Sequence, residues 1–422
     1  MIAVSSTATE ELDAVLSQGL LAPVFQPIVD LETGGTIGYE ALARVADPDS
    51  PLGCPDLLFG AARAAGRLPE LDWACRLAAL HGAFDGGLTE QALFVNVEPD
   101  VLGSPAPLGA ERTWFGAPAR LPVVLEVTER ALTARPAELL EAVARLRKHG
   151  WRIALDDVGA DSRSLALMPL LQPDVIKLDL RLVQERPNAE VAEIVTAVSA
   201  ERERSGAHLL AEGIETAEHV AAAKALGATL AQGWYFGRPT SLPKTPGPLP
   251  PFAFGPYRLA PEPGSSPYSI VSRVRPVRRA EKTLLIAISK HLEQQALALG
   301  KTAVIVSAFQ LAERFTPDTC RRYSTLGAEA ALVAALGVGM DVEPAPRVRG
   351  AALPDDDVLL GEWSVAVLGP HFAAALVATD LGDTGPDATR RFDFALTYER
   401  NLVVRAAASL LRRVAPADSP PT

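Results

Sequence analysis

The chain has 422 residues, with 40 Lys plus Arg against 51 Asp plus Glu for a formal net charge of −11, and 48% of it is hydrophobic. That apolar content suffices for full-sized cores and excludes wholesale disorder, while the acidic balance excludes a protein built mainly to grip nucleic acid or an anionic membrane. At roughly 150 residues per domain, the length predicts two or three domains, or one large α/β barrel with a smaller companion.

Met1 to Leu20 contains neither a basic segment nor an apolar one behind it, so nothing directs secretion and the expected location is the cytoplasm. Short apolar runs then follow at Pro23–Val29, Leu93–Val97, Leu121–Val127, Arg152–Leu155, Val175–Leu178 and His208–Leu210. Stretches with apolar residues at three- and four-residue spacing, such as Ala137–His149 and Ala189–Arg204, lie between them. This alternation predicts repeated βα units around a mostly parallel sheet, and about 240 residues of it suits a TIM-type (β/α)8 barrel.

Between Pro239 and Pro267 prolines crowd together at 243, 246, 248, 250, 251, 256, 261 and 263, which predicts a semi-rigid connector over 241–279. The basic residues Arg273, Arg275, Arg278 and Arg279 at its end read as a solvated hinge. Beyond it a smaller α/β domain is expected over 280–416, followed by a tail, 417–422. Its predicted elements are a helix over Glu281–Leu299, a strand over Thr302–Phe309 and a helix over Pro317–Leu336, capped by Thr316. Strands over Val358–Leu368 and Phe372–Thr379 and a closing helix over Pro386–Arg413 complete it. The longest apolar tract, Trp363–Val377, is interrupted by Pro370 and His371 and falls short of a membrane span. Cys54, Cys75 and Cys320 are too few and scattered for a disulfide framework or a cysteine zinc site.

In an α/β barrel, chemistry sits at the C-terminal ends of the strands. Nearly every strand candidate upstream of the linker carries or runs into a polar residue there: Glu40, Asn96, Glu126, the Asp156–Asp157 pair, Lys177 with Asp179, Glu212 and Gln232. Each alone reads as a loop residue or helix cap. Together, five carboxylates at one mouth opposed by Lys177 leave a surplus of negative charge that would force protonation unless cations balance it. Two divalent cations would do so, and oxygen-only ligands suit Mg²⁺ or Mn²⁺ rather than zinc. Two such ions about 3.5–4 Å apart are the usual apparatus of in-line phosphoester hydrolysis.

The motifs Phe25-Gln26-Pro27-Ile28, Gly38-Tyr39-Glu40-Ala41-Leu42-Ala43-Arg44, Phe94-Val95-Asn96-Val97 and Leu125-Glu126-Val127-Thr128-Glu129 occur in order. Asp156-Asp157-Val158-Gly159, Ile176-Lys177-Leu178-Asp179, Ala211-Glu212-Gly213-Ile214-Glu215-Thr216 and Gln232-Gly233-Trp234-Tyr235-Phe236 continue the series. Over residues 15 to 240 this set resembles the EAL-domain cyclic di-GMP phosphodiesterases. The resemblance implies metal-dependent hydrolysis of this bacterial second messenger to linear pGpG, with two Mg²⁺ or Mn²⁺ per site. One would be held by Glu40, Asn96, Glu126 and Asp156, and the other by Asp156, Asp157 and Glu212. It further implies Lys177 at the attacking water, Glu212 as base, and Gln26, Leu42, Arg44, Asp179, Glu215 and Gln232 around the substrate. Glu129 would anchor the loop after the aspartates, and a homodimer would form through the barrel.

Two departures stand out. The loop that usually reads Asp-Asp-Phe-Gly-Thr-Gly is Asp156-Asp157-Val158-Gly159-Ala160-Asp161-Ser162, and Glu98 stands where Ser is common. The loop change raises an alternative function, a weak or inactive barrel serving as a cyclic di-GMP receptor or protein-interaction module. Downstream, Ser307-Ala308-Phe309-Gln310, Arg314-Phe315-Thr316 and Arg322-Tyr323 resemble the DICT domain, a presumed sensory module, which implies a regulatory role in signal transduction with an unknown signal.

Overall fold

The computed structural model describes residues 6–128, 134–185, 188–243, 253–255, 265–384 and 386–414. Eight strands, β1 (Val24–Asp30), β2 (Thr36–Leu42), β3 (Ala92–Asn96), β4 (Val123–Val127), β5 (Arg152–Val158), β6 (Val175–Leu178), β7 (His208–Ala211) and β8 (Leu230–Gln232), close into a barrel in chain order. The helices of this region are α1 (Ser6–Ser17), α2 (Pro55–Ala64), α3 (Leu68–Asp85), α4 (Ala110–Gly116), α5 (Pro136–Lys148), α6 (Ser164–Leu171), α7 (Leu180–Gln184), α8 (Ala189–Ser205) and α9 (Ala217–Ala225).

One strand departs from the repeated βα scheme. β1 runs antiparallel to both β2 and β8, whereas β2 to β8 are parallel. The reason is the five-residue connection 31–35, too short for the crossover that a parallel pair requires. Asp30 Oδ1 accepts from Thr33 N at 2.8 Å and Gly34 takes φ 72° to close that turn. As a result Gln26, early in β1, pairs with Glu40 near the end of β2 and shares its mouth.

The barrel interior is packed with Ile28, Ile37, Phe94, Val124, Val175 and Leu210, all fully buried, so it is a core rather than a pore. Phe254, from the proline-rich stretch, packs against this cluster with the Arg152 guanidinium 5.3 Å from its ring centroid.

The second sheet has the order β12-β11-β10-β13-β14-β15-β9. Its strands are β9 (Arg278–Glu281), β10 (Val304–Leu311), β11 (Leu332–Val338), β12 (Arg349–Ala352), β13 (Glu362–Leu368), β14 (Ala373–Asp380) and β15 (Arg391–Thr397). α11 (Lys282–Leu299) and α12 (Pro317–Glu329) cover one face, and α10 (Pro267–Ser272) and α13 (Arg400–Leu411) the other. α10 lies inside the stretch expected to be linker. Pro267 stands in its first turn and Ser266 forms a capping box with Ser269, enough local signal to start a helix there. Arg279 is likewise no free hinge residue, since it pairs with Asp393 at 2.8 Å on the sheet edge.

Three expected elements are corrected. The helix from Pro317 stops at Glu329, and the apolar run Leu332–Val338 is strand β11, buried on both faces. The strand expected from Val358 begins at Glu362, after one tight turn over Val358–Gly361. The closing helix expected from Pro386 is strand β15 followed by α13. Phe392 and Phe394 alternate with more exposed neighbours and pair with β14, and α13 starts where Glu399 accepts from Asn401 N and Leu402 N at 2.9 and 3.0 Å.

α13 packs on the barrel as well as on its own sheet. One apolar core runs from Leu139 and Leu170 of the barrel helices to Val403 and Leu411, and Arg349 donates to the Ala134 carbonyl at 3.3 Å across the junction.

Candidate active site at the barrel mouth

Lys177, 1% exposed at the end of β6, is the centre of the site. Its Nζ lies 2.8 Å from Glu126, 2.9 Å from Glu212, 3.0 Å from Asp156 and 3.7 Å from Glu40. Burial alone would favour the neutral amine, but the carboxylates of Asp156, Glu126, Glu212 and Glu40 outweigh it and hold the ammonium well above its ordinary pKa.

The acids do not share that charge equally. Burial pushes Glu40 up, yet Lys177 and hydrogen bonds from Asn96 Nδ2 at 2.8 Å and Gln232 Nε2 at 2.6 Å pull it below the usual value. Glu126 goes the other way, raised by burial and by the neighbouring Glu40 despite Lys177. Glu212 is pushed up to about 8, chiefly by burial.

Asp156 and Asp157 follow one another at the end of β5, where the strand's pairing with β6 shifts register. Asp157 adopts φ 54° and donates its N–H to Asp156 Oδ1 at 3.0 Å, which turns its carboxylate toward the same side as its neighbour's. Asp156, Asp157 and Glu212 thus each offer an oxygen within 4.8 Å of the others. Glu126 Oε2 is buried without a hydrogen-bond partner among the described residues. A compact set of oxygen donors beside an orphaned buried carboxylate oxygen fits a hard divalent cation.

Beside these acids lies a cavity of about 570 Å³, walled by Leu42, Arg44, Asn96, Asp156 and Asp157. Gln26 joins the mouth from β1, accepting from Gln232 Nε2 at 3.1 Å and donating to the Gly237 carbonyl at 3.2 Å. Of the six residues expected around the substrate, only Leu42 and Arg44 line that wall; Gln26 and Gln232 lie beside Glu40, and the other two are farther out. Asp179 caps α7 and pairs with Arg181 at 2.9 Å, and Glu215 is exposed just before α9. Glu129, the expected loop anchor, lies outside the described residues.

The altered loop is packed. Val158 is fully buried, and a Cβ on Gly159, at φ 105°, would meet Leu182 Cδ1 at 2.7 Å. The added Asp161 accepts from Arg163 N at 2.9 Å just before α6. Glu98 is half-buried, paired with Arg63 at 3.1 Å while Asp72 accepts from its N–H at 2.9 Å.

Sequence reading missed the other cavity wall: Arg63 of α2, and Asp72, Cys75 and Arg76 of α3. Asp72 and Arg76 form a buried ion pair, and the Arg76 guanidinium sits 4.6 Å from the Trp73 ring centroid. The available signal was an Asp and an Arg four apart within an otherwise apolar helix pattern.

Residues 9–239, more than half of the chain, match the family described as EAL domain. The chain belongs to the EAL-domain family. Residues 270–381 of this EAL-domain protein match the DICT family, described as "Sensory domain in DIguanylate Cyclases and Two-component system". Among curated relatives, the cyclic di-GMP phosphodiesterases RocR and NbdA of Pseudomonas aeruginosa are each 32% identical, over 53% and 55% of this chain. The chain spans 58% of RocR's length and 30% of NbdA's. A solved structure titled as the manganese/cy-diGMP complex of Klebsiella pneumoniae BlrP1 is 28% identical, with TM-score 0.46, over 52% of this chain and 56% of that one. The c-di-GMP complex of the phosphodiesterase PaMucR is 26% identical, with TM-score 0.48, over 55% and 97%. No described helix is long and apolar enough to cross a membrane.

Proposed function

We propose that the barrel hydrolyses cyclic di-GMP to linear pGpG in the cytoplasm, as a homodimer regulated by its C-terminal domain, with two Mg²⁺ or Mn²⁺ per site. The observation that carries this reading is the buried Lys177 ammonium among four carboxylates, beside the Asp156–Asp157–Glu212 oxygen cluster. Glu40, Asn96, Glu126 and Asp156 would hold one cation, and Asp156, Asp157 and Glu212 the other. The cations, when bound, supply positive charge at the phosphoryl oxygens and activation of water.

The protein's own groups do the rest. Lys177 keeps its proton and orients the attacking water through Nζ. Glu212, 2.9 Å from Lys177 Nζ and in the same oxygen cluster as Asp156 and Asp157, would accept the proton that the water gives up. The water oxygen bonds to phosphorus, the bond from phosphorus to the ribose 3′ oxygen breaks, and that oxygen leaves with a proton. Arg44 and Leu42 at the cavity wall, with Gln26 and Gln232 beside Glu40, would receive the dinucleotide, and Asp179 and Glu215 would frame it from outside.

The test is incubation of the full chain with cyclic di-GMP and Mg²⁺ or Mn²⁺, following pGpG by chromatography, with Glu40→Ala as control. Product that requires both metal and Glu40 is expected. Tight binding of the intact dinucleotide without product would overturn hydrolysis in favour of a receptor, the reading that the altered loop suggests.

A further inference from the structure

The C-terminal domain contains a second cavity, of about 380 Å³, on the sheet face that α11 and α12 cover and thus on the side away from the barrel. Its position follows from strand alternation. Ser307 and Val365 are register partners and Tyr323 of α12 donates to Ser307 Oγ at 2.6 Å, so this face carries Ser307 and Phe309 on β10 and Trp363 and Val365 on β13. Phe309 and Trp363 stand just past the last register pair, Ala308 and Ser364, with aromatic surface on neighbouring strands. Phe315 and Tyr323 brace Phe309 edge-on at 5.2 and 5.4 Å, which fixes the ring.

One polar side chain on this wall is buried without a partner. Ser289 of α11 is 6% exposed, and its Oγ makes no hydrogen bond among the described residues. Gln310 lines the same wall, 3% exposed at φ 66°, an unusual backbone state for a side-chain-bearing residue. A buried hydroxyl left unmade costs about 1–3 kcal/mol, which makes an unpartnered one lining a cavity a sign of something absent from it.

Four cations and four acids line the cavity, but they are not equally engaged. Lys282 is taken up by Asp387, and Arg322 by Glu293 at 2.7 Å and Asp318 at 3.0 Å. Lys290 and Arg314 form no ion pair among the described residues, against one lining acid, Glu313, in the same condition.

We propose that this cavity binds a planar aromatic anion. The ring system lies against Phe309 and Trp363, hydrogen-bonding edge atoms meet Ser289 and Gln310, and the negative group faces Arg314 and Lys290. The readout below is binding rather than turnover, so the cavity stands or falls apart from the reading of the barrel.

The test is titration of the full chain with 8-anilinonaphthalene-1-sulfonate, a fluorescent anion with a planar naphthalene ring system, with stoichiometry from calorimetry. One saturable site per chain is expected. Charge reversal at the rim by Arg314→Glu should weaken it at least about tenfold. Ile286, which lines the cavity and is 36% exposed on α11, allows Ile286→Trp to fill the space from the rim without disturbing the core, and that variant should abolish the site. Circular dichroism should be unchanged in both variants. Absence of a saturable site, or binding that Ile286→Trp leaves intact, would overturn the cavity as a ligand site. Loss with Ile286→Trp but indifference to Arg314→Glu would overturn the anion.

Discussion

Lys177 is the residue on which the barrel mouth balances. Removing one partner of a buried ionic cluster costs about 3–5 kcal/mol, because the remaining charges keep their desolvation without the attraction. Lys177→Ala in metal-free buffer should therefore melt roughly 5 °C or more below the parent. Mn²⁺ should recover part of the loss, since a divalent cation answers the same carboxylates, yet pGpG formation should stay absent. Scanning fluorimetry with EDTA and with Mn²⁺ measures the first effect; equal melting in EDTA would mean the acids simply take up protons. Asp72 offers a pH test away from these acids. Burial raises its carboxyl to about 6, with Arg76 and the Glu98 N–H opposing. The folded state thus binds this proton more tightly than the unfolded chain, so the contribution is full below about 4 and lost as pH rises through about 6. Relative to Asp72→Asn, the parent should lose up to about 3 kcal/mol between those limits in urea titrations. A constant difference would show that Arg76 neutralises Asp72 throughout. At this scale most of the site was legible: acids at strand ends are conspicuous because apolar runs precede them, so Glu40, Glu126, Asp156, Asp157 and Glu212 declared themselves. Asp72 and Arg76 did not, because a helix pattern shows which face is apolar and not that a charged pair is buried within it.

Among the elements, the loop from β5 into α6 bears most on function. Its sequence, with Val158 for a usual Phe, raised the alternative of a weak or inactive barrel. In the fold Val158 is fully buried, and Gly159 sits where even a Cβ would strike Leu182. Close packing makes enlargement costly, so Val158→Phe should destabilise by about 1–3 kcal/mol rather than restore a missing contact. Thermal unfolding of that variant checks this; a gain in stability would mean a void exists there after all. Elements were legible where period and length agreed, as in α11 and β14. They failed where a strand joins a helix without a proline or glycine between them. The three alternating positions Phe392 to Phe394 are too few to stand out before the longer helical pattern of α13, and Leu332 to Val338 reads as either type until the pairing with β10 decides it. The antiparallel β1 was equally hidden, since hydrophobicity does not report strand direction, although the brevity of 31–35 does.

For the molecule as a whole, α13 matters most because it serves two cores. Its apolar side chains share one continuous cluster with the barrel helices and with the second sheet. Two domains joined by a linker alone would melt independently; two that share a buried helix should melt together. The full chain is therefore expected to give one calorimetric transition. Val404, 4% exposed, lines the small cleft of about 150 Å³ where α13 meets Pro169 and Gln172 at the end of α6 and Glu201 of α8. Val404→Asp removes apolar contact from the shared core and buries a carboxylate there, and Arg204 and Arg400, which line the same cleft beside Glu201, offset only part of that, so the change should cost about 1–3 kcal/mol. If the junction carries the cooperativity, this variant splits the transition in two, the lower peak belonging to the C-terminal domain. The same junction lies one helix away from the Asp156–Asp157 pair, because α6 is the element that follows their loop. Turnover of Val404→Asp, measured below the lower transition, should then differ from the parent if the C-terminal domain acts on the site through α6. Two peaks with identical turnover would separate the roles, leaving α13 as a structural clasp and placing regulation elsewhere.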